Sequence, residues 1–280
     1  MVGLIIESHL FLECSPINFK IMDKDNSCLV QKNGHIMTIT INRPESYNAL
    51  RPVDSEAMAE AFDDFQKDPE MWIAILTGEG PKEFCTGDDL KFLAGGGKLT
   101  APPSGFGGIT NRFDLTKPVI AAVNGFAMGG GMEIALACDI IIASDNAIFA
   151  LPEVHVGLAA MGGGMHRLPR QIGIKKALGI LLTGRNVRAA EAAELGFVNE
   201  VVTQEMLMST AMSYANDILK NAPLSVRATK QSAMEGLNHA SVEEAMNATY
   251  SALPIMLKSD DAVEGPKAFA EKRAPKWVGH

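Results

Sequence analysis

One segment constrains the fold of this 280-residue chain more than any other. It begins at Lys117 with an Ile, Val and Ala run, turns at Asn-Gly, and passes through the three glycines 129–131 into an apolar stretch that carries Glu133. This order predicts a strand, a turn and a helix. Glycine permits positive φ angles and has no Cβ, so a ligand oxygen can approach free amides at the positive end of the helix. The segment therefore predicts an oxyanion hole.

A second turn of the same kind supplies another candidate donor. In Phe84–Lys91, Gly87 is followed by Asp88 and a helix-like run. One oxyanion donor typically contributes about 3 to 4 kcal/mol to a transition state, so two turns that meet would form an effective site.

Two carboxylates complete the predicted constellation. Glu133 lies in the first turn after the glycines, and Glu153 follows a strand-like run through Pro152. We expect both side chains to face one cleft, where a pair of carboxyls can serve as general acid and general base. Alone, either glutamate would more often be a helix-start residue favoured by the helix dipole. Their pairing with two glycine turns favours catalysis.

The rest of the chain predicts an α/β protein. Short apolar runs bounded by Gly, Pro, Asn or Asp indicate strands, and they are separated by helix-length segments. We expect an accessory N-terminal extension over residues 1–26, an α/β core over 27–200 and a helical region over 201–280, with helical signal from about Thr183 onward. The Gly- and Pro-rich stretch 95–108 predicts a mobile surface loop near the site. The predicted strands are His35–Ile41, Trp72–Thr77, Pro118–Val123 and Asp139–Ala143.

Composition excludes several classes of partner. Lys and Arg total 25 against 33 for Asp and Glu, a net charge of −8, which disfavours nucleic acid and anionic membranes. No apolar run reaches the roughly 18 residues that span a bilayer. The cysteines are far apart without a CxxC pair, so we expect no metal site, no disulfide framework and a cytoplasmic location. They are Cys14, Cys28, Cys85 and Cys138.

Three motifs resemble the enoyl-CoA hydratase/isomerase, or crotonase, family: GFAMGGGMEIALACDIIIAS, FCTGDDLK and FALPEVHVGL. The resemblance runs from about Cys28 to the C-terminus and looks closest to the carnitinyl-CoA dehydratase branch. It implies a superhelix of repeated ββα units with a C-terminal helical trimerisation region, in trimers that often pair into hexamers. It also implies an acyl-CoA thioester substrate and no separate cofactor.

The resemblance assigns roles to individual residues. It implies that the amides of Asp88 and Gly130 form the oxyanion hole, and that Glu133 and Glu153 add water reversibly, in a syn sense, to a 2-enoyl-CoA. Lys91 matches a position that helps to hold coenzyme A, and the tail residues Phe269 and Lys272 resemble residues that reach a neighbouring subunit's ligand. The full substrate-binding set implied by the family is Asp88, Asp89, Leu90, Lys91, Gly130, Phe269 and Lys272.

Several alternatives stay open at this stage. Carnitinyl-CoA dehydratase activity, that is, hydration of crotonobetainyl-CoA, rests on the branch resemblance. However, Trp72 and Trp277 lie outside the motifs, so the sequence gives no sign of an aromatic cage for a quaternary ammonium. An isomerase is disfavoured because many such relatives need only one glutamate, and an RNA-binding relative is disfavoured by the acidic charge. The loop 157–164 lacks a proline common in relatives, which leaves the acyl specificity open.

Overall fold

The strands of this protein form at short Ile-, Val- and Ala-rich runs. A computed structural model describes residues 20–21 and 26–280, so the predicted extension over 1–26 lies outside the described residues except for positions 20, 21 and 26. The described strands are β1 Lys20–Ile21, β2 Cys28–Asn33, β3 Ile36–Ile41, β4 Ile73–Gly78, β5 Glu83–Cys85, β6 Val119–Val123, β7 Phe126–Met128, β8 Ile140–Ser144, β9 Ile148–Ala150, β10 Val187–Arg188 and β11 Glu200–Val202.

The helices begin and end where local chemistry favours it. Pro52 starts α1, where its missing N–H costs nothing, and the Asp54 carboxylate accepts the Arg51 amide at 2.7 Å. Gly196 ends α6 with φ 98°. The described helices are α1 Pro52–Lys67, α2 Leu90–Ala94, α3 Gly130–Ala137, α4 Gly164–Ile172, α5 Ile174–Leu181, α6 Ala189–Leu195, α7 Leu207–Leu219, α8 Pro223–Gly236, α9 Val242–Asn247, α10 Ala252–Leu257 and α11 Asp260–Ala270.

The strands form two sheets, and from β4 to β9 successive strands belong alternately to the larger and the smaller sheet. The larger has the order β1-β2-β3-β4-β6-β8-β11 and is parallel from β3 to β11. The smaller has the order β10-β9-β7-β5, with β5, β7 and β9 parallel. The chain passes from large to small sheet three times, as β4 to β5, β6 to β7 and β8 to β9. Helices follow the first two passes and a 3-10 helix, Pro152–Val156, follows the third, so the predicted ββα repeat is confirmed.

This repeat determines where the site lies. Because β5, β7 and β9 are parallel, their carboxyl ends meet at one edge of the small sheet. The turn at Gly87 follows β5, the glycines 129–131 follow β7, and Glu153 follows β9. Segments that are far apart in sequence therefore converge at a single edge, as ligand sites commonly do in α/β folds.

Two apolar clusters hold the layers together. Phe62, Phe65, Phe84 and Phe149 are fully buried in the cluster that joins α1 and α3 to the sheets. On the other face of the large sheet, α7 packs against β4, β6 and β8.

Strand β11, Glu200–Val202, crosses the boundary predicted at residue 200 between the α/β core and the helical region. No helix in the described part of the chain combines the length and apolar character that crossing a membrane requires.

The structure differs from the sequence expectations at two places. The stretch after Thr183 contains β10 and β11 as well as helices, and strands of two or three residues are too short to show a period of two. The predicted surface loop 95–108 ends in a buried 3-10 helix, Phe106–Gly108. Gly108 has φ 68°, and a Cβ there would collide with the backbone of Ala59 in α1. The end of this loop is therefore packed against α1.

Candidate active site

The two glycine turns lie in contact with each other. Gly87 has φ 88°, and a Cβ at this position would lie 3.0 Å from the Met128 oxygen and 3.1 Å from the Gly130 nitrogen. The Leu50 amide donates to the Gly87 oxygen at 2.8 Å, and the Asp89 amide donates to the Leu50 oxygen at 3.0 Å. This bridge holds the residues on each side of Asp88 and does not use the Asp88 amide.

The three glycines after β7 serve three different needs. Gly129 alone of the three has a positive φ, 54°. Gly130 faces the Phe106 ring, which a Cβ would strike, and Gly131 lies so close to the Cys85 carbonyl that a Cβ cannot fit. Gly130 is the first residue of α3, where an amide has no acceptor within the helix. The Gly130 nitrogen lies beside the turn at Gly87.

Glu133 is almost completely buried in the first turns of α3. Its side chain is held by the loop 157–164, since the Gly164 amide donates to Oε1 at 2.8 Å. A Cβ at Gly162 would lie 2.5 Å from Oε2, so this loop closes on the carboxylate without side chains. Burial, together with the charges of Glu153 and Asp88, raises the pKa of Glu133 to about 7, although the Gly164 hydrogen bond acts in the opposite direction.

Glu153 lies at the start of the 3-10 helix after β9. Both of its carboxyl oxygens are buried and accept no hydrogen bond from any other described residue. A Cβ at Gly129 would lie 3.3 Å from Oε1, so Glu153 reaches the glycine turn that precedes Glu133. Burial, followed by the charge of Asp88, raises the pKa of Glu153 above its ordinary value. Both glutamates thus favour carrying a proton more than a surface carboxyl does.

Of the residues that follow Gly87, Asp88 and Asp89 are partly buried, whereas the next two are exposed. Asp89 caps α2 by accepting the amides of Lys91 and Phe92, each at 3.1 Å, while its other oxygen accepts from Arg43 at 3.2 Å. Leu90 and Lys91 point outward and are exposed. The Asp88 carboxyl is half-buried, and burial raises its pKa.

The tail residues lie apart from this cluster. Phe269 is 87% exposed in the last turn of α11, and Lys272 follows the helix with φ 54°. Within residues 20–21 and 26–280, no hydrogen bond or ion pair joins either residue to the two glutamates. A single chain therefore brings together Asp88, Gly130, Glu133 and Glu153, and leaves Phe269 and Lys272 outside.

Sequence reasoning missed two side chains at this edge. Phe106 packs against Gly130, but it lies in the Gly-rich stretch that predicted a surface loop, and only its size among small residues marks it. Arg167 donates to the Gly162 and Thr110 oxygens and affects the pKa of Glu133. An arginine in a helix pattern gives no such signal. His155, in the 3-10 helix after β9, hydrogen-bonds the Thr183 oxygen at 2.8 Å.

No group of three His, Cys, Asp or Glu side chains in the described part of the chain is placed to bind a metal ion. The chemistry that this edge offers comes from amides and carboxyls. The amides of Asp88 and Gly130 donate to no described acceptor and can polarise a carbonyl oxygen. Two buried carboxyls beside them can exchange protons with the atoms next to that carbonyl.

Comparison with known proteins identifies relatives with nearly the same length. The sequence profile of the enoyl-CoA hydratase/isomerase family matches residues 31–280. A carnitinyl-CoA dehydratase of Salmonella typhi is 46% identical over 254 residues, which covers 89% of this chain and 97% of that protein.

Solved structures agree with this match. The enoyl-CoA hydratase of Mycobacterium tuberculosis H37Rv superposes with a TM-score of 0.83 at 40% identity, covering 91% of this chain and 99% of that one. A carnitinyl-CoA hydratase of Mycobacterium avium superposes with a TM-score of 0.72 at 41% identity, over the same shares of the two chains. The shared superhelix, the similarity along nearly the whole chain and the matched profile show that this chain belongs to the enoyl-CoA hydratase/isomerase family.

Proposed function

We propose that this protein is a 2-enoyl-CoA hydratase, a hydro-lyase that adds water reversibly across the double bond next to a coenzyme A thioester. The observation that carries this proposal is the pair of buried carboxyls, Glu133 and Glu153, next to the Gly129–Gly130 turn. An isomerase that moves one proton needs one such carboxyl, whereas addition of water requires one proton to leave and another to arrive.

In the proposed mechanism the thioester oxygen accepts hydrogen bonds from the amides of Asp88 and Gly130. One glutamate accepts a proton from water while the water oxygen bonds to the β-carbon. The π electrons move towards the thioester oxygen, where the two amides stabilise the developing enolate. The other glutamate then gives its proton to the α-carbon on the same face, so the addition is syn. Dehydration follows the same steps in reverse.

The hydrogen bonds favour one assignment of the two roles. The Gly164 amide donates to Glu133, and a donated hydrogen bond stabilises the ionised carboxylate that acts as the base. Glu153 accepts no hydrogen bond from any other described residue, and its burial favours the protonated form that an acid requires. We therefore assign Glu133 as the base and Glu153 as the acid.

Binding of the coenzyme A part would use exposed residues. Leu90 and Lys91 lie on the outward side of α2, and Lys91 offers a cation to the nucleotide. Asp89 contributes indirectly, because its side chain is used to hold α2 and Arg43. Phe269 and Lys272 would reach a ligand in a neighbouring subunit, which requires the homotrimer or homohexamer predicted from the sequence.

The proposed reaction requires no cofactor besides the coenzyme A of the substrate, since the two glutamates move both protons. We also propose that it takes place in the cytoplasm. Cys28, Cys85 and Cys138 are buried and form no disulfide, which agrees with a reducing compartment.

The direct test is to mix the purified protein with crotonyl-CoA and follow the loss of the conjugated thioester absorbance. We expect turnover, with the 3-hydroxyacyl-CoA as product. A series of longer 2-enoyl-CoA thioesters then establishes the acyl length. If none of these thioesters is hydrated, the proposed function is wrong.

A second candidate, hydration of crotonobetainyl-CoA, is favoured by the 46% identity with a carnitinyl-CoA dehydratase. The site adds one observation of its own, because the Asp88 charge raises the pKa of both glutamates and so places a third carboxyl near the reacting atoms. This carboxyl would attract a quaternary ammonium group. The tryptophans take no part, since Trp72 stacks on His35 and Trp277 donates to the Lys220 oxygen.

Asp88→Asn tests this candidate, because it keeps the backbone amide and removes the charge. If the protein acts on the cationic substrate, Asp88→Asn should lower kcat/KM for crotonobetainyl-CoA by about 10-fold, near 1.4 kcal/mol, with less effect on crotonyl-CoA. Equal changes for the two substrates would exclude a charge-selective role for Asp88.

A further inference from the structure

Arg167 is a partly buried cation of the site region that the proposed chemistry does not use. It lies on α4, one turn after Gly164, and its side chain points back towards the start of the helix. The guanidinium forms no ion pair with a described carboxylate. Since a desolvated guanidinium is costly, its contacts at this place need an explanation.

Those contacts connect two loops that each border the site. Nη1 donates to the Gly162 oxygen at 3.2 Å, and Nη2 donates to the Thr110 oxygen at 2.7 Å. The guanidinium also lies over the Phe113 ring, 5.7 Å from its centroid. A planar guanidinium has donors in fixed directions, so it can hold two carbonyls at a set distance, which an ammonium cannot do.

Each of the two loops carries a part of the proposed active site. The loop that contains Gly162 also contains Gly164, whose amide donates to the Glu133 carboxyl at 2.8 Å. The Thr110 side follows the 3-10 helix that places the Phe106 ring against Gly130. Movement of either loop would therefore displace a contact to the base or to the oxyanion turn.

We propose that Arg167 is a positioning residue for the hydratase reaction. It fixes the Gly162–Gly164 turn to the Thr110 loop and thereby holds the Glu133 carboxyl and the Gly130 amide at a constant relative position. This inference rests on the proposed function. Arg167 does not touch the reacting atoms and acts through the loops. The charged groups around Glu133 are Asp88 before α2, Glu153 after β9 and Arg167 on α4, and Arg167 also faces the Cys138 thiol.

Two substitutions separate the bridge from the charge. Arg167→Met removes both, while Arg167→Lys keeps a cation but cannot hold both carbonyls in the same geometry. We expect Arg167→Met to lower kcat on crotonyl-CoA by on the order of 10- to 100-fold with a smaller change in KM, because the loss is one of alignment. In the pH profile of kcat/KM, the acidic limb of Arg167→Met should move to higher pH, because the variant lacks a cation that favours the Glu133 carboxylate. Arg167→Lys should have its acidic limb at the wild-type pH, but its kcat should still be lower than that of the wild type.

Arg170→Met is the matched control, because Arg170 lies one turn further on α4 and is exposed. Among the described residues, its side chain donates only to the His166 oxygen of its own helix. It should leave both kcat and the pH profile unchanged. Melting curves of all variants check the fold. If Arg167→Met does not fold, the kcat of Arg167→Lys is the test. A kcat equal to that of the wild type in either folded variant overturns the proposal. Failure of the proposed function is distinct, since the wild-type protein would then hydrate no enoyl-CoA.

Discussion

Glu133 is 4% exposed, and its surroundings determine its properties. Two glycines and one amide enclose its carboxyl, and burial raises its pKa to about 7. A carboxyl with a pKa near the working pH can both accept and release a proton, as general acid–base catalysis requires. Glu153 is brought to the same turn from another part of the chain.

Glu133→Gln and Glu153→Gln should each lower the turnover of crotonyl-CoA by about 10² to 10⁴-fold, because each removes one proton-transfer group. Acyl-CoA binding, measured by calorimetry, should change little, since the amides of Asp88 and Gly130 remain. Glu194→Gln, on the exposed side of α6, is the matched control. Full activity in both site variants would exclude the assignment.

Glu133 should also make stability depend on pH. The folded state holds its proton more tightly than the unfolded chain, with pKa values of about 7 and 4.5, so wild-type stability is lost as pH rises through this interval. Gln does not titrate. Glu133→Gln should therefore gain stability over wild type between pH 5 and pH 8, by on the order of 3 kcal/mol, in urea unfolding. An equal difference at the two pH values would contradict the raised pKa.

Helix α3 and the strand before it bring the site together at the scale of elements. The glycines 129–131 are not equivalent: Gly129 provides the turn, Gly130 leaves space beside Phe106, and Gly131 allows α3 to approach β5. The neighbour of Gly130 is a movable ring, whereas the neighbour of Gly131 is backbone, so the same substitution should have different consequences.

Gly131→Ala should destabilise the protein by about 1 to 3 kcal/mol, because the new methyl group forces α3 away from the Cys85 carbonyl. Gly130→Ala should cost less stability, since Phe106 can turn aside, but should lower kcat by disturbing the oxyanion turn. Urea unfolding and crotonyl-CoA kinetics of the two variants test this. Equal stabilities would contradict the packing argument.

At the scale of the whole molecule, the C-terminal helices expose large apolar side chains. Leu237, Met246, Leu257 and Phe269 are 69% to 87% exposed, more than an isolated domain usually leaves in contact with water. This pattern favours the predicted association of copies of the chain, and association would also bring tail residues to a neighbouring site.

The assembly prediction is tested by sedimentation. We expect a mass of about three or six times 30.0 kDa. Phe269→Ala should raise KM for the acyl-CoA by about 10-fold, near 1.4 kcal/mol, if the ring packs on a neighbour's ligand. Val263→Ala, also exposed on α11, is the control. A fully active monomer would contradict both parts of the prediction.

Much of the fold could be predicted from local patterns. The strand ending at Ile41, the helix starting at Pro52 and the cap at Gly196 follow from periodicity, proline and glycine, which act over a few residues. The short strands β10 and β11 could not be predicted, because pairing with β9 and β8 creates them. The buried end of the loop 95–108 depends on contact with α1, which no local pattern shows.

The sequence by itself determined the α/β class, the two glycine turns and the pair Glu133 and Glu153, because these depend on residue type and short spacing. Only the tertiary structure decided how they meet. The parallel order of β5, β7 and β9 brings the turns and Glu153 to one edge, and the loop 157–164 folds back so that the Gly164 amide reaches Glu133. The role of Arg167 likewise became visible only there, since it joins loops that are about fifty residues apart along the chain. Contacts of this kind depend on the packing of distant elements, which residue spacing does not encode.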